Sequence, residues 1–275
     1  MMSENRAVEL ARRVAVSYAG LPPVLAVALA GSVAAGVGDA NSDIDLYVYS
    51  TTPLELEARR AIAERDAARA DVDNRFWEPG DEWIDRETGI KVDVTFRHPG
   101  WIEEQLDRVL RRHQASTGYS TCFWYNVLNS QSLFDRDGWY ARLQAGAQQP
   151  YPEALRRAVI AKNYPILNQK LSAYSHQIES AARRDDWVSI NHRVAALLAS
   201  YFDILFALNR LPHPGEKRLL RAVEEGCKKY PPTVRADVER LVRANASDSV
   251  QSGVTGLVQG LDQLLAAEGL PGSSE

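Results

Sequence analysis

The chain has 275 residues, 45% hydrophobic and 25% charged, with no low-complexity tract; this is a globular composition and excludes a disordered or fibrous protein. A net charge of −4 leaves no basic footprint for a dedicated nucleic-acid binder, and an acidic surface suits a cationic small molecule. No run approaches the roughly 20 apolar residues of a membrane span, and the N-terminus lacks a signal-peptide core. The two cysteines, Cys122 and Cys227, lie far apart without metal-ligand spacing, so a soluble, cytoplasmic protein with reduced thiols is expected.

Residues 3–19 place Val8, Leu10, Ala11, Val14, Val16 and Tyr18 at near-helical spacing, and Gly20 with Pro22-Pro23 stops the helix. Residues 24–30 are an almost unbroken apolar run between proline and glycine, the pattern of a buried strand. Gly31-Ser32 ends it. Gly36 and Gly38 make the following loop flexible enough for its backbone N–H groups to turn toward a ligand. A second strand is expected over 43–50, then a helix over 53–70 with a proline near its first turn and its charges on a solvated face. The acidic, aromatic stretch 71–82 leads into a strand over 83–85, a turn at Gly89 and a strand over 90–97. That last strand alternates Ile90, Val92, Val94 and Phe96 with Lys91, Asp93, Thr95 and Arg97.

An amphipathic helix is expected over 101–113, after Pro99-Gly100. Residues 120–134 are mixed, a helix or a strand carrying Cys122, Phe123, Trp124 and Val127 into the core. From 139 onward helical periodicity dominates, over 152–184, 187–210, 215–230, 232–245 and 249–267, with Gln148-Gln149-Pro150 as a linker. The expected fold class is therefore α+β: an α/β domain with a mixed sheet over 1–138, then an all-helical bundle over 139–268. Residues 269–275 are expected to be a disordered tail, and a ligand is expected in the cleft between the domains.

The chemistry concentrates on Asp43 and Asp45. On a strand, residues i and i+2 share a face about 6.6 Å apart. At about 4 Å and an effective dielectric near 20, two like charges repel by roughly 4 kcal/mol. Such a pair needs a cation between the carboxylates, a raised pKa on one of them, or open water around both. Asp93, on the polar face of a later strand, is a third carboxylate able to meet them, and this favours the cation.

Gly31-Ser32, about ten residues, Asp43-x-Asp45 on a strand and then the lone Asp93 together resemble the polymerase-beta-type nucleotidyltransferases. With a helical C-terminal half, the layout is similar to the small antibiotic adenylyltransferases of the streptomycin/spectinomycin type. The resemblance implies that Asp43, Asp45 and Asp93 hold one or two Mg²⁺ ions, a hard cation that prefers oxygen ligands. It also implies that Asp93 accepts a proton from the acceptor hydroxyl, while Gly31, Ser32 and Ser42 meet the nucleotide phosphates. Lys217, in the segment HPGEKRLL, is similar to the lysine that reaches the triphosphate.

The activity so implied is an EC 2.7.7-type transfer of a nucleoside monophosphate, AMP from ATP, to a hydroxyl of a small, aminoglycoside-like acceptor. Trp77, Glu78, Glu82 and Trp83 offer stacking and charge for a cationic acceptor, against the alternative of an ordinary hairpin with two core tryptophans. Two other readings stay open: a non-catalytic nucleotide-binding or antitoxin-like regulator on this fold, and transfer to a protein or a tRNA. The retained set of three acids speaks against the first, and the absence of a basic stripe against tRNA.

Overall fold

The computed structural model describes residues 2–34, 36, 42–76 and 78–270. The loop glycine Gly38, Trp77 and the tail beyond 270 lie outside the described residues, as does the side chain of Ser32. Two units result: residues up to 107 with 123–149, and 108–122 with residues from 150 onward.

The first unit contains α1 (Met2–Ala19), β1 (Val24–Ala30), α2 (Gly31–Ala34), β2 (Ile44–Ser50), α3 (Leu56–Arg65), β3 (Ala67–Asn74), β4 (Gly80–Asp85), β5 (Lys91–Arg97), α4 (Pro99–Leu110), α5 (Cys122–Asn129), β6 (Gln131–Asp135) and α6 (Trp139–Ala147). Among the described residues, six strands form one sheet in the order β3-β4-β5-β2-β1-β6. The β2–β5 pair is parallel and the other pairs are antiparallel, so the sheet is mixed, as expected.

One face of this sheet is the core. Ile44, Leu46 and Val48 of β2 and Val92 and Val94 of β5 are buried there with Leu10, Ala11, Val14 and Tyr18 of α1. The period-2 pattern explains the division, because each buried apolar residue alternates with a polar one on the opposite face.

Three expectations fail in this unit. The helix expected over 53–70 ends at Arg65, and 67–70 open strand β3, whose pairing with β4 outweighs an alanine-rich sequence's helix propensity. Residues 120–134 are neither one helix nor one strand: α5 is followed by β6, which pairs with β1. The charge of α3 is not all solvated either. Arg59 is buried, its Nε 3.0 Å from Oδ2 of Asp81, which is 0% exposed on β4, and its guanidinium lies 4.4 Å from the Phe96 ring centre.

The second unit holds α7 (Glu153–Asn163), α8 (Pro165–Asn168), α9 (Tyr174–Ala182), α10 (Trp187–Leu208), α11 (Leu219–Gly226), α12 (Val234–Val242) and α13 (Ser247–Ala267). Residues 139–149 group with the first unit, because α6 packs on β6 and β1, and Trp124 Nε1 donates to the Ala147 carbonyl at 2.9 Å. The helix expected over 152–184 is three pieces, since Pro165 lacks the N–H that would continue α7 and Lys170–Ala173 is a turn. The helix expected from 215 starts at 219, after Gly215 (φ 105°) and Arg218 (φ 57°) take non-helical backbone.

α10 is the spine of this unit, burying Leu197, Tyr201, Ile204, Leu205 and Leu208 against α7 and α9. Its Asp203 is buried and accepts from the Ser120 N–H (3.1 Å), the Ser120 hydroxyl (2.6 Å) and Asn163 Nδ2 (3.2 Å). Burial pushes the Asp203 carboxyl up to about 7 in spite of these three bonds.

The folded chain thus keeps this proton up to about pH 7, whereas an unfolded aspartate releases it near 4. Between those values the native state binds the extra proton, so stability falls as pH rises. Between pH 5.5 and pH 8 the expected loss is about 2 kcal/mol, and Asp203→Asn should flatten that slope in thermal melts.

Candidate active site

The polar face of the sheet carries a row of carboxylates that the register alone assembles. Asp45 on β2 is paired with Asp93 on β5, Asp93 with Glu82 on β4, and Glu82 with Asp71 on β3. Neighbouring strands lie about 4.8 Å apart, and like charges placed directly opposite destabilise a sheet. Asp43 is exposed just before β2 begins.

Electrostatics follow from this row. The Asp93 carboxyl is pushed up to about 6, first by burial and then by Glu82, with Asp45 and Asp43 adding to the rise and Lys91 opposing it. Lys91 Nζ lies 2.7 Å from Glu82 Oε2 and 3.9 Å from Asp93 Oδ2. Asn74 Nδ2 donates to Glu82 Oε1 at 3.0 Å.

At the other side of Asp45, the end of β1 turns into α2 at Gly31, which has φ 68°. Ala30 is the register partner of Asp45, and a Cβ built on Gly31 would collide with Oδ2 of Asp45. Glycine is required there twice, for the left-handed backbone and for the close approach of the carboxylate. Gly31→Ala is expected to displace Asp45 and to reduce turnover at least tenfold, with a stability loss of about 1–2 kcal/mol, read from steady-state kinetics beside a urea titration.

Further along the same face, Arg97 and the aromatic rings close the sheet off from water. Its guanidinium lies 4.0 Å from the Tyr47 ring centre and 4.8 Å from that of Trp101, and it grips Glu78 through Nε (2.9 Å) and Nη2 (2.8 Å). Tyr49 packs on Trp139 and Tyr140 at 5.2 and 5.5 Å. The acidic half of the polar face stays partly exposed, by the starts of β2 and β5.

The expected acceptor residues come out differently. Glu78 is locked to Arg97, and Glu82 is committed to Lys91 and Asn74. Trp83 is 4% exposed on the opposite face, where it pairs with Val92 in the core, because it alternates with Glu82 along β4. Trp77 lies outside the described residues.

Ser42 is half-buried in the loop before β2. Lys217 is exposed in the turn before α11, in the second unit. Sequence reasoning missed Glu82 and Asp71 as members of the acid row and Lys91 as its cation. The signal was the hairpin register, which was concealed once 67–70 were read as helix.

Residues 15–114 match the nucleotidyltransferase domain family. Gly31, Asp43, Asp45 and Asp93 all fall inside the matched stretch, and the match supports the polymerase-beta superfamily and nucleotidyl transfer in general. Residues 124–219 match a domain of unknown function (DUF4037), a stretch that includes Lys217. No curated protein sequence matches significantly.

Among solved structures, a nucleotidyltransferase-like protein from Exiguobacterium sibiricum aligns with a TM-score of 0.44 at 12% identity, over 94% of this chain and 74% of that one. A Thermotoga maritima CCA-adding enzyme, solved in complex with tRNA, aligns with a TM-score of 0.31 at 14% identity, over 94% of this chain and 82% of that one. At such scores and identities neither likeness bears on what this chain binds.

The donor set around the nucleotidyltransferase motif is all oxygen, which suits a hard divalent cation. Among the described residues, no three of the His, Cys, Asp and Glu side chains close tightly enough on one point to hold a metal ion as they stand. What suits a cation is the charge: Asp45, Asp93 and Glu82 stand in register on neighbouring strands, with Lys91 beside Glu82 and Asp93. No helix of the described residues is long and apolar enough to cross a membrane.

Proposed function

We propose that this protein is a Mg²⁺-dependent nucleotidyltransferase that moves AMP from ATP onto a hydroxyl of a small, aminoglycoside-like molecule. The observation that carries the reading is the registered pair of Asp45 and Asp93 on adjacent parallel strands, with Gly31 against the Asp45 carboxylate, inside a stretch that matches a nucleotidyltransferase domain. Asp43, Asp45 and Asp93 would hold Mg²⁺. When bound, the ion supplies positive charge to the nucleotide phosphates and so offsets the charge that develops there.

This chain's own residues do the rest. Gly31, having no side chain, leaves room for the Asp45 carboxylate at the turn, and the Ser32 and Ser42 hydroxyls would donate to the phosphate oxygens. Asp93 orients the acceptor hydroxyl and takes its proton. The acceptor oxygen then bonds to the α-phosphorus, the bond from that phosphorus to the bridging oxygen breaks, and pyrophosphate leaves with the bonding electrons.

The acidic open half of the face suits a cationic acceptor. Mass spectrometry of reactions containing ATP, GTP, CTP or UTP, Mg²⁺ and a panel of aminoglycosides, lincosamides and cell metabolites tests the proposal. A gain of one adenylate on an acceptor is the expected result; no nucleotidylated product with any acceptor contradicts it.

A further inference from the structure

One cation already sits in the acid row. Lys91 stands two residues before Asp93 on β5, so both side chains leave the same face. Its ammonium reaches Glu82 at 2.7 Å and Asp93 at 3.9 Å. Asp45 lies one strand further on, opposite Asp93. Glu82 in turn is steadied by Asn74.

We infer that Lys91 is the resident counter-cation of the carboxylate row, the group that a divalent ion must push aside when it binds between Asp45 and Asp93. This rests on the metal-site reading above and adds to it a competitor built into the chain. The ammonium rests on Glu82 with Asp93 in reach, and such a competitor needs both partners. Leaning toward Asp93, the ammonium offsets the repulsion that the register forces on Glu82, Asp93 and Asp45. Withdrawn wholly onto Glu82, it leaves Asp93 to the incoming ion and keeps a partner of its own.

Glu82 is therefore the place to which Lys91 retires, which accounts for an acid on β4 that the acceptor reading left unexplained. The half-exposed lysine makes the exchange possible without moving backbone, since a long flexible side chain swings at small cost.

The consequence is a metal affinity held below what the acids alone would give. A unit positive charge about 5 Å from a divalent ion, in nearly aqueous surroundings, weakens its binding by up to about tenfold. Calorimetric titration of the nucleotide-free protein with MgCl₂ or MnCl₂ reads this directly. Lys91→Met and Lys91→Gln are expected to bind the ion about five- to tenfold more tightly than wild type, and Lys91→Arg within about twofold of it. Melting without metal should show the two neutral variants less stable than wild type, with the gap closing as metal is added.

Equal or weaker binding by both neutral variants, with wild type and variants folded alike, overturns the role given to Lys91 and leaves the metal site standing. No binding by wild type, or binding that Asp45→Asn leaves undiminished, overturns the metal site and this inference together.

Discussion

Asp45→Asn is expected to lower nucleotidyl transfer by 10²- to 10³-fold, the scale for removing one preorganised electrostatic element from a reacting centre. The substitution keeps the shape of the side chain and its place beside Gly31, so packing is preserved and only the charge and one ligand oxygen are lost. Stability should move the other way. Asp45 stands in register with Asp93, which stands in register with Glu82, and neutralising one member of a row of like charges relieves repulsion. A variant that melts at or above the wild-type temperature while turnover collapses is the signature expected of a functional carboxylate. Unchanged turnover would remove Asp45 from the mechanism.

Arg59→Met is expected to be the most damaging single change to the fold. Arg59 is buried beneath the sheet, where Nε reaches Asp81 Oδ2 at 3.0 Å, Nη1 reaches Asp73 Oδ1 at 3.3 Å and Nη2 reaches the Gly80 carbonyl at 3.3 Å. Asp81 has no exposure to water, and its other oxygen, Oδ1, accepts from Arg59 Nη2 at 2.5 Å and from the Asp73 N–H at 2.9 Å. Methionine fills much of the volume but leaves that carboxylate without its cation, and breaking a buried pair in this way costs about 3–5 kcal/mol. For a unit of this size, a melting temperature lower by more than about 10 °C follows. Adding Asp81→Asn should recover part of the loss, because the orphaned charge is then gone. A double variant no better than Arg59→Met would mean that stacking on Phe96 matters more than the ion pair.

What could be read from the residues was decided by how each segment is buried. β1 and β2 were legible because Val24–Ala30 is apolar throughout and Ile44–Ser50 sits behind Asp43, and β5 because its alternation is clean. β3 was not. ARADVDN has weak strand propensity, and it is held by its pairing with β4, a long-range fact that no local window contains. With β3 invisible, the partners of Glu82 could not be placed, and Trp83 looked like a ligand platform although its parity on β4 turns it into the core.

Asp43, Asp45, Asp93 and Gly31 were legible as a motif, since a strand face and a glycine turn are local properties. Their spacing in space, and the lysine set among them, come from the order of strands. The charge of α3 shows the same limit: Arg59 and its neighbour Arg60 are alike in sequence, yet one is buried on Asp81 and the other bridges exposed Glu64.

In the proposed reaction the α-phosphorus, not the γ-phosphorus, is the point of attack. ATP labelled separately at the α- and γ-phosphates, incubated with Mg²⁺, an acceptor and the protein, reads this directly. The expected result is α-label joined to the acceptor, γ-label wholly in pyrophosphate, and both signals lost in Asp45→Asn. Label from the γ-position on the acceptor, or α-label recovered in ADP, would contradict it.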